Sequence, residues 1–231
     1  MKKLILSAIA ILMIVVSTSS IKAQVVNVEN LGRNSTYGKS IRFTNPVKTV
    51  DGSIYLFSNW NNRSVVTSKA GETFSLSNVN FNLQRNRFVS KISRDSIFVL
   101  SMNEINSIKI NNKTFKRVVT DELGGRVFEV VFEYLDVSIL KFYSIKFVGG
   151  SVNPMLGRST DKLIHKKELY LLLGDEIHKF KLNKKSILKN FATNKSHGNE
   201  WIKYYSKNGL SFRSIEDLKT SLKYFMYSIN N

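Results

Sequence analysis

Arg126-Val127-Phe128-Glu129-Val130-Val131-Phe132-Glu133-Tyr134-Leu135, then Asp136, then Val137-Ser138-Ile139-Leu140-Lys141-Phe142-Tyr143-Ser144-Ile145-Lys146-Phe147-Val148 is the stretch that decides the fold. Apolar and polar side chains alternate along both runs, the period-two signature of strands. The short break between them makes the two runs a hairpin, the longest and most hydrophobic in the chain, expected at the centre of a sheet. The alternation assigns Phe128, Val130, Phe132 and Tyr134 to one face and Glu129 and Glu133 to the other, the solvated one. Four residues apart on a strand, these carboxylates stand about 13 Å from each other, beyond the spacing used in glycoside hydrolysis.

Working outward, the chain from Lys39 to Leu182 reads as short strands between turn signals. Asp51–Gly52 separates Val47–Val50 from Ser53–Phe57, and Asn111–Asn112 separates Glu104–Ile110 from Lys113–Val118; both dipeptides suit two-residue hairpins. Asn59 to Asn62, Lys69 to Gly71, Ser77–Asn78 and Ser93 to Asp95 supply further breaks. Gly149 to Thr160, with Gly149–Gly150, Asn153–Pro154 and Gly157, reads as the longest loop. Two more strands, Glu168–Leu173 and Glu176–Leu182, flank Gly174–Asp175.

The period changes after Leu182. Ile187, Leu188 and Phe191, then Trp201, Ile202 and Tyr205, then Leu218, Leu222, Phe225, Met226 and Ile229 fall at helical spacing, with Ser214 as N-cap of the last helix. The expectation is an α+β protein: an antiparallel β-sheet domain over residues 39–182, a sandwich or partly open barrel, followed by a C-terminal helical segment, 183–231, packed on it. Residues 24–38 are expected to be a flexible N-terminal segment.

The first 23 residues read as a signal peptide. Lys2 and Lys3 precede an apolar run from Leu4 to Val16, and a small, polar stretch ends at Ala23, after which cleavage is expected. The run is too short to span a bilayer core, which needs about 20 residues. The protein is therefore expected to be exported, periplasmic or secreted. No cysteine is present, which excludes disulfides, thiolate metal sites and cysteine nucleophiles. The formal charge is +18, of which Lys2, Lys3 and Lys22 supply three. Such a surface attracts anionic envelope components, a glycan or a lipid headgroup.

Several strings carry a resemblance when taken together: Pro46-Val47-Lys48-Thr49-Val50-Asp51-Gly52-Ser53-Ile54-Tyr55-Leu56-Phe57 with Asn59-Trp60-Asn61-Asn62, Ser90-Lys91-Ile92, and Ile108-Lys109-Ile110-Asn111-Asn112-Lys113. Phe128-Glu129-Val130, Asp161-Lys162-Leu163 and Leu182-Asn183-Lys184-Lys185-Ser186-Ile187-Leu188-Lys189 follow. In that order, behind a leader ending Ala23–Gln24, the chain resembles an uncharacterised family of signal-peptide-bearing, β-rich exported bacterial proteins. The family has no assigned activity, so the resemblance implies export and architecture and no functional residues.

Catalysis needs a nucleophile, base or metal in a supported constellation, and the histidines are His165, His178 and His197. Asp161 and His165 would share a face only if their stretch were helical, and among Lys162, Lys166 and Lys167 they read as exposed. Glu176 and His178, with Asp175 at a turn, lack a third metal ligand. His197 reads as an exposed residue of a polar linker, Asn194 to Asn199. Gly149-Gly150-Ser151 lacks the lysine spacing of a phosphate loop. No catalytic, cofactor or metal residue is assigned. Trp60 among amides, with Tyr55 beside it, suits sugar stacking, a protein contact or a cap on the β core. Lys181, Lys184 and Lys185 form a basic string suited to anionic lipid or glycan, and export argues against nucleic acid. These features point to a non-enzymatic envelope or secreted binding or structural protein, whose partner is an anionic envelope component or another envelope protein. The alternative is a periplasmic carrier enclosing a lipid or acyl chain between a curved sheet and helices.

Overall fold

Nine strands follow one another across an open sheet: β1 (Gln24–Val25), β6 (Thr73–Leu76), β5 (Ser64–Ser68), β10 (Ile105–Ile110), β11 (Lys113–Thr120), β12 (Gly124–Tyr134), β13 (Val137–Val148), β16 (Asp161–Leu173) and β17 (Glu176–Phe180). A tenth, β4 (Val50–Asp51), runs parallel to the start of β16. A smaller sheet orders β2 (Asn34–Ser35), β3 (Gly38–Arg42), β9 (Ser96–Leu100), β8 (Arg87–Lys91) and β7 (Val79–Asn82), and β14 (Val152–Asn153) pairs with β15 (Gly157–Arg158). Among the described residues three helices follow β17, α1 (Lys184–Phe191), α2 (Lys195–Lys207) and α3 (Ile215–Ser228). The computed structural model describes residues 24–25, 34–42, 50–150, 152–153, 157–158 and 160–228. The expected leader lies outside them, as do 151, 154–156 and 159 of the expected loop.

The expected α+β architecture is present, with an unclosed sheet. Its core is explained by one row of cross-strand partners. Phe74, Val66, Ile108, Phe115, Glu129, Lys141, Leu169 and Phe180 succeed one another from β6 to β17, and paired residues share a face. The first four pack against Phe81, Phe88 and Phe98 of the small sheet, forming a sandwich over half of the large one. The last two, with Phe132, Ile139 and Leu171, pack against Ile187, Trp201, Tyr205, Leu218 and Leu222 of the helices. Burying each such side chain contributes about 1.5–3 kcal/mol. Phe81, Phe88 and Phe115 add ring contacts at 4.7, 5.8 and 5.1 Å between centroids, and Trp201 stacks on Phe225 at 4.5 Å. The opposite face of the large sheet carries Phe128, Leu140, Tyr170 and Ile177.

Asn111 and Asn112 form the expected tight turn, both at positive φ (48° and 60°). Asp51–Gly52 does not. Gly52 has φ 99°, and a Cβ there would stand 2.5 Å from the Leu163 carbonyl oxygen, so the glycine allows close approach to β16. Asp51 pairs with Lys162, and Tyr55 makes only an isolated bridge to Asn82. In the segment expected to be flexible, Gln24–Val25 pairs with β6 and Asn34–Ser35 with β3.

The alternation of β12 is corrected by a bulge. Val130 pairs with Leu140 and Phe132 with Ile139, so one extra residue is accommodated between them. Phe128 and Val130 share one face, Phe132 lies on the other, and Glu129 faces inward, 7% exposed. It is not on a solvated face. Asp161 to Leu173 is one strand, so Asp161 and His165 are not adjacent turns of a helix. The Asp161 carboxylate accepts from the Gly150 N–H (2.8 Å), while His165 Nε2 lies 2.7 Å from the Ser53 carbonyl oxygen. The stretch 194–199 is no linker but the cap and first turn of α2. Asn194 Oδ1 accepts the His197 N–H (2.9 Å), and His197 Nε2 accepts the Trp201 indole N–H (3.2 Å) in the helical core. Asn183 and Ser214 cap α1 and α3 in the same way, through Ser186 N–H (2.9 Å) and Asp217 N–H (3.2 Å).

Candidate functional site

Between the β7–β8 turn and the β11–β12 hairpin lies a cleft of about 600 Å³ whose lining residues include five cationic ones and no carboxylate. Arg85 comes from the turn, Arg87 from the start of β8, Lys39 from β3, Arg117 from β11 and Arg126 from β12. All five are exposed, and none belongs to an ion pair among the described residues. A cleft of one sign focuses its field on whatever enters. Arginine forks supply paired N–H donors matched to phosphate or carboxylate oxygens.

Local sequence builds this geometry. Asn82 Oδ1 accepts the Arg85 N–H (2.9 Å), tightening the turn, and Asn86 takes the left-handed conformation at φ 50°. The Asn86 side chain then bridges the sheets. Its Oδ1 accepts the Val127 N–H (2.7 Å), and its Nδ2 donates to the Val127 carbonyl (3.2 Å). That pair of hydrogen bonds to the backbone fixes the arginine-bearing turn against the hairpin that carries Arg117 and Arg126. Gly125 completes the floor. A Cβ there would stand 1.9 Å from Arg117 Nη2, so the guanidinium lies directly over the glycine backbone.

On the other face of β12 from Phe128 is a second polar group, a satisfied one. Glu129 Oε1 accepts from Lys113 Nζ (2.9 Å) with Lys141 Nζ at 3.6 Å, and its other oxygen accepts from the Tyr143 hydroxyl. Burial pushes the Glu129 carboxyl up, but the Tyr143 and Lys113 hydrogen bonds and the lysine charges outweigh it and hold the group below the usual range. Burial first, then Glu129, raises the Tyr143 hydroxyl, and burial lowers Lys141 against the opposing pull of Glu129. The carboxylate keeps its charge and the phenol its proton through neutral pH, so this pair is not poised for proton exchange. It sits in the cross-strand row where sandwich gives way to helices.

The residues singled out from sequence lie elsewhere. Trp60 and Tyr55 pack edge to face at 4.7 Å on the outer side of the small sheet, against Val89, Ile97 and Val99, with Lys91 Nζ 5.8 Å from the indole. Lys181, Lys184 and Lys185 are exposed around the start of α1, Lys184 lying 5.9 Å from the Phe212 ring. None of the five lines the cleft. His178 Nε2 meets Asn190 Oδ1 at 3.2 Å. No group of three His, Cys, Asp or Glu among the described residues is placed to hold a metal ion. The cleft residues were missed because they are scattered from Lys39 to Arg126; their one local trace is the polar triplet Arg85-Asn86-Arg87. No family model, curated protein or solved structure matches the chain.

Proposed function

We propose that this chain is an exported, non-enzymatic binding protein of the cell envelope or secreted space, and that the cleft takes an anionic group of its partner. A single observation carries the reading. Five cationic residues from β3, β8, β11, β12 and the β7–β8 turn line one cleft without a carboxylate, and Asn86 locks two of its walls together. Export is inferred from the leader, and a phosphorylated glycan or lipid headgroup supplies the matching oxygens. Lys181, Lys184 and Lys185 add to the overall field, whereas the cleft adds directed hydrogen bonds.

The test separates these two contributions. Affinity for a phosphorylated oligosaccharide is measured by calorimetry for two triple variants of equal charge change, Arg85→Gln/Arg117→Gln/Arg126→Gln and Lys181→Gln/Lys184→Gln/Lys185→Gln. A hydrogen bond to a charged group contributes about 1.5–3 kcal/mol, so the arginine variant loses well over tenfold. The lysine variant is expected to change affinity by no more than about threefold at physiological salt, where the Debye length is about 8 Å. Equal losses in the two variants would show generic charge attraction and remove the cleft from the function.

A further inference from the structure

We infer that the ligand of the cleft is an anionic amphiphile, with its charged head between Arg85 and Arg126, beside Asn86, and its apolar chain in the recess lined by Phe128, Phe142 and Tyr170. This deepens the binding reading above and rests on it. The recess has a volume of about 370 Å³ and is walled further by Leu83, Leu123 and Ile145. Asn86 and Arg126 line both the recess and the basic cleft. Arg126 and Phe128 are alternate residues of β12 and so share a face, which carries the lining from cation to aromatic within one strand. The three rings meet at 5.4, 5.7 and 6.4 Å between centroids, and the Tyr170 hydroxyl is engaged by Glu168 at 3.4 Å.

Charge complementarity selects one occupant. A small free anion would satisfy the arginines and leave the aromatic recess hydrated, while an uncharged lipid would fill the recess and leave five cations unanswered. Both volumes lie within the roughly 300–1,000 Å³ of small-molecule sites. The chain site is on the face of the sheet away from the helices. Between sheet and helices, Ile139, Leu171, Trp201, Tyr205, Leu218 and Leu222 already fill the space, each at most 1% exposed.

Calorimetry of the full mature protein with inorganic phosphate and with ethyl, butyl and octyl phosphate, all below their micellar concentrations, tests the inference. Affinity is expected to rise by up to about fourfold per methylene added until the recess is filled. Ser144→Trp, which places an indole in the recess, is expected to bring the octyl-to-phosphate affinity ratio close to one. Leu123→Trp does the same from the other wall and covers the case in which the first variant fails to fold. Arg126→Gln is expected to weaken every ester together. Esters that all bind as phosphate does would overturn the amphiphile and leave the anion cleft standing. Absence of binding by any probe, phosphate included, would overturn both.

Discussion

Glu129 shows how strand alternation can put a single residue in the wrong place, since alternation assigns it to the solvated face and it lies 7% exposed. Its carboxylate is buried, yet Lys113, Lys141 and Tyr143 together keep it ionised. Because its folded pKa lies below the unfolded value of about 4.3, the linked stabilisation is fully present above that value and is lost as pH falls through the folded one. Glu129→Gln is therefore expected to cost roughly 1–3 kcal/mol at pH 7 by leaving charged donors without their acceptor, and less as the pH is lowered. Lys141→Met leaves the carboxylate with Lys113 and Tyr143 and removes an ammonium that burial disfavours, so its cost is expected to stay under about 1 kcal/mol. Urea unfolding of the two variants at pH 7 and pH 3.5 decides this. Equal costs, or a Glu129→Gln cost that grows on acidification, would contradict the ion-pair account.

At the scale of elements, the sequence revealed turns and periods well and facing poorly. Asn111–Asn112 and the Ser214 cap were readable because each acts within a few residues of itself, whereas the Asn183 cap goes unread and Asn194 reads as part of a linker. The failure at Asp51–Gly52 came from a long-range cause, the approach of β16 to β4. The bulge in β12 left one local trace, the adjacent valines Val130-Val131 inside an alternating run, which a period-two reading smooths over. The cleft was still less visible, since its cations become neighbours only when the β7–β8 turn meets the β11–β12 hairpin through Asn86. The bulge makes a specific prediction. Deleting one of the two valines regularises the strand without exchanging its faces, so Phe132 still meets Ile139 and the helices. That variant is expected to keep a cooperative transition and lose on the order of 1–3 kcal/mol. Deleting both valines turns Phe132 and Tyr134 to the other face and is expected to abolish cooperative unfolding in thermal denaturation. Similar behaviour of the two deletions would argue against the bulge.

At the scale of the whole molecule, the described residues form one large sheet given two different covers, five strands over one half and three helices over the other, and the order of the chain explains the division. The small sheet is made from segments between residues 34 and 100 and packs on the strands nearest to it in sequence; the helices follow β17 directly and fold back onto β12, β13, β16 and β17. The helices are thus the lid of a half-sheet and not an independent unit. Phe132, Ile139, Leu171 and Phe180, each at most 6% exposed, have their apolar partners on α1, α2 and α3. At about 1.5–3 kcal/mol for each side chain, uncovering all four forfeits an amount comparable to the 5–15 kcal/mol that holds a typical domain folded. A chain ending at Leu182 is accordingly expected to bind a hydrophobic dye, to associate, and to lose the sharp melting transition of the full protein. Its sandwich half retains a complete aromatic core in Phe81, Phe88 and Phe115, so hydrogen exchange should find β7 to β11 the last region to open and β16 and β17 the first. A truncated chain that stays monomeric and melts at the same temperature would mean that the helices are an appendage, and that the sheet owes its stability to the sandwich and to the opposite face around Phe128, Leu140 and Tyr170.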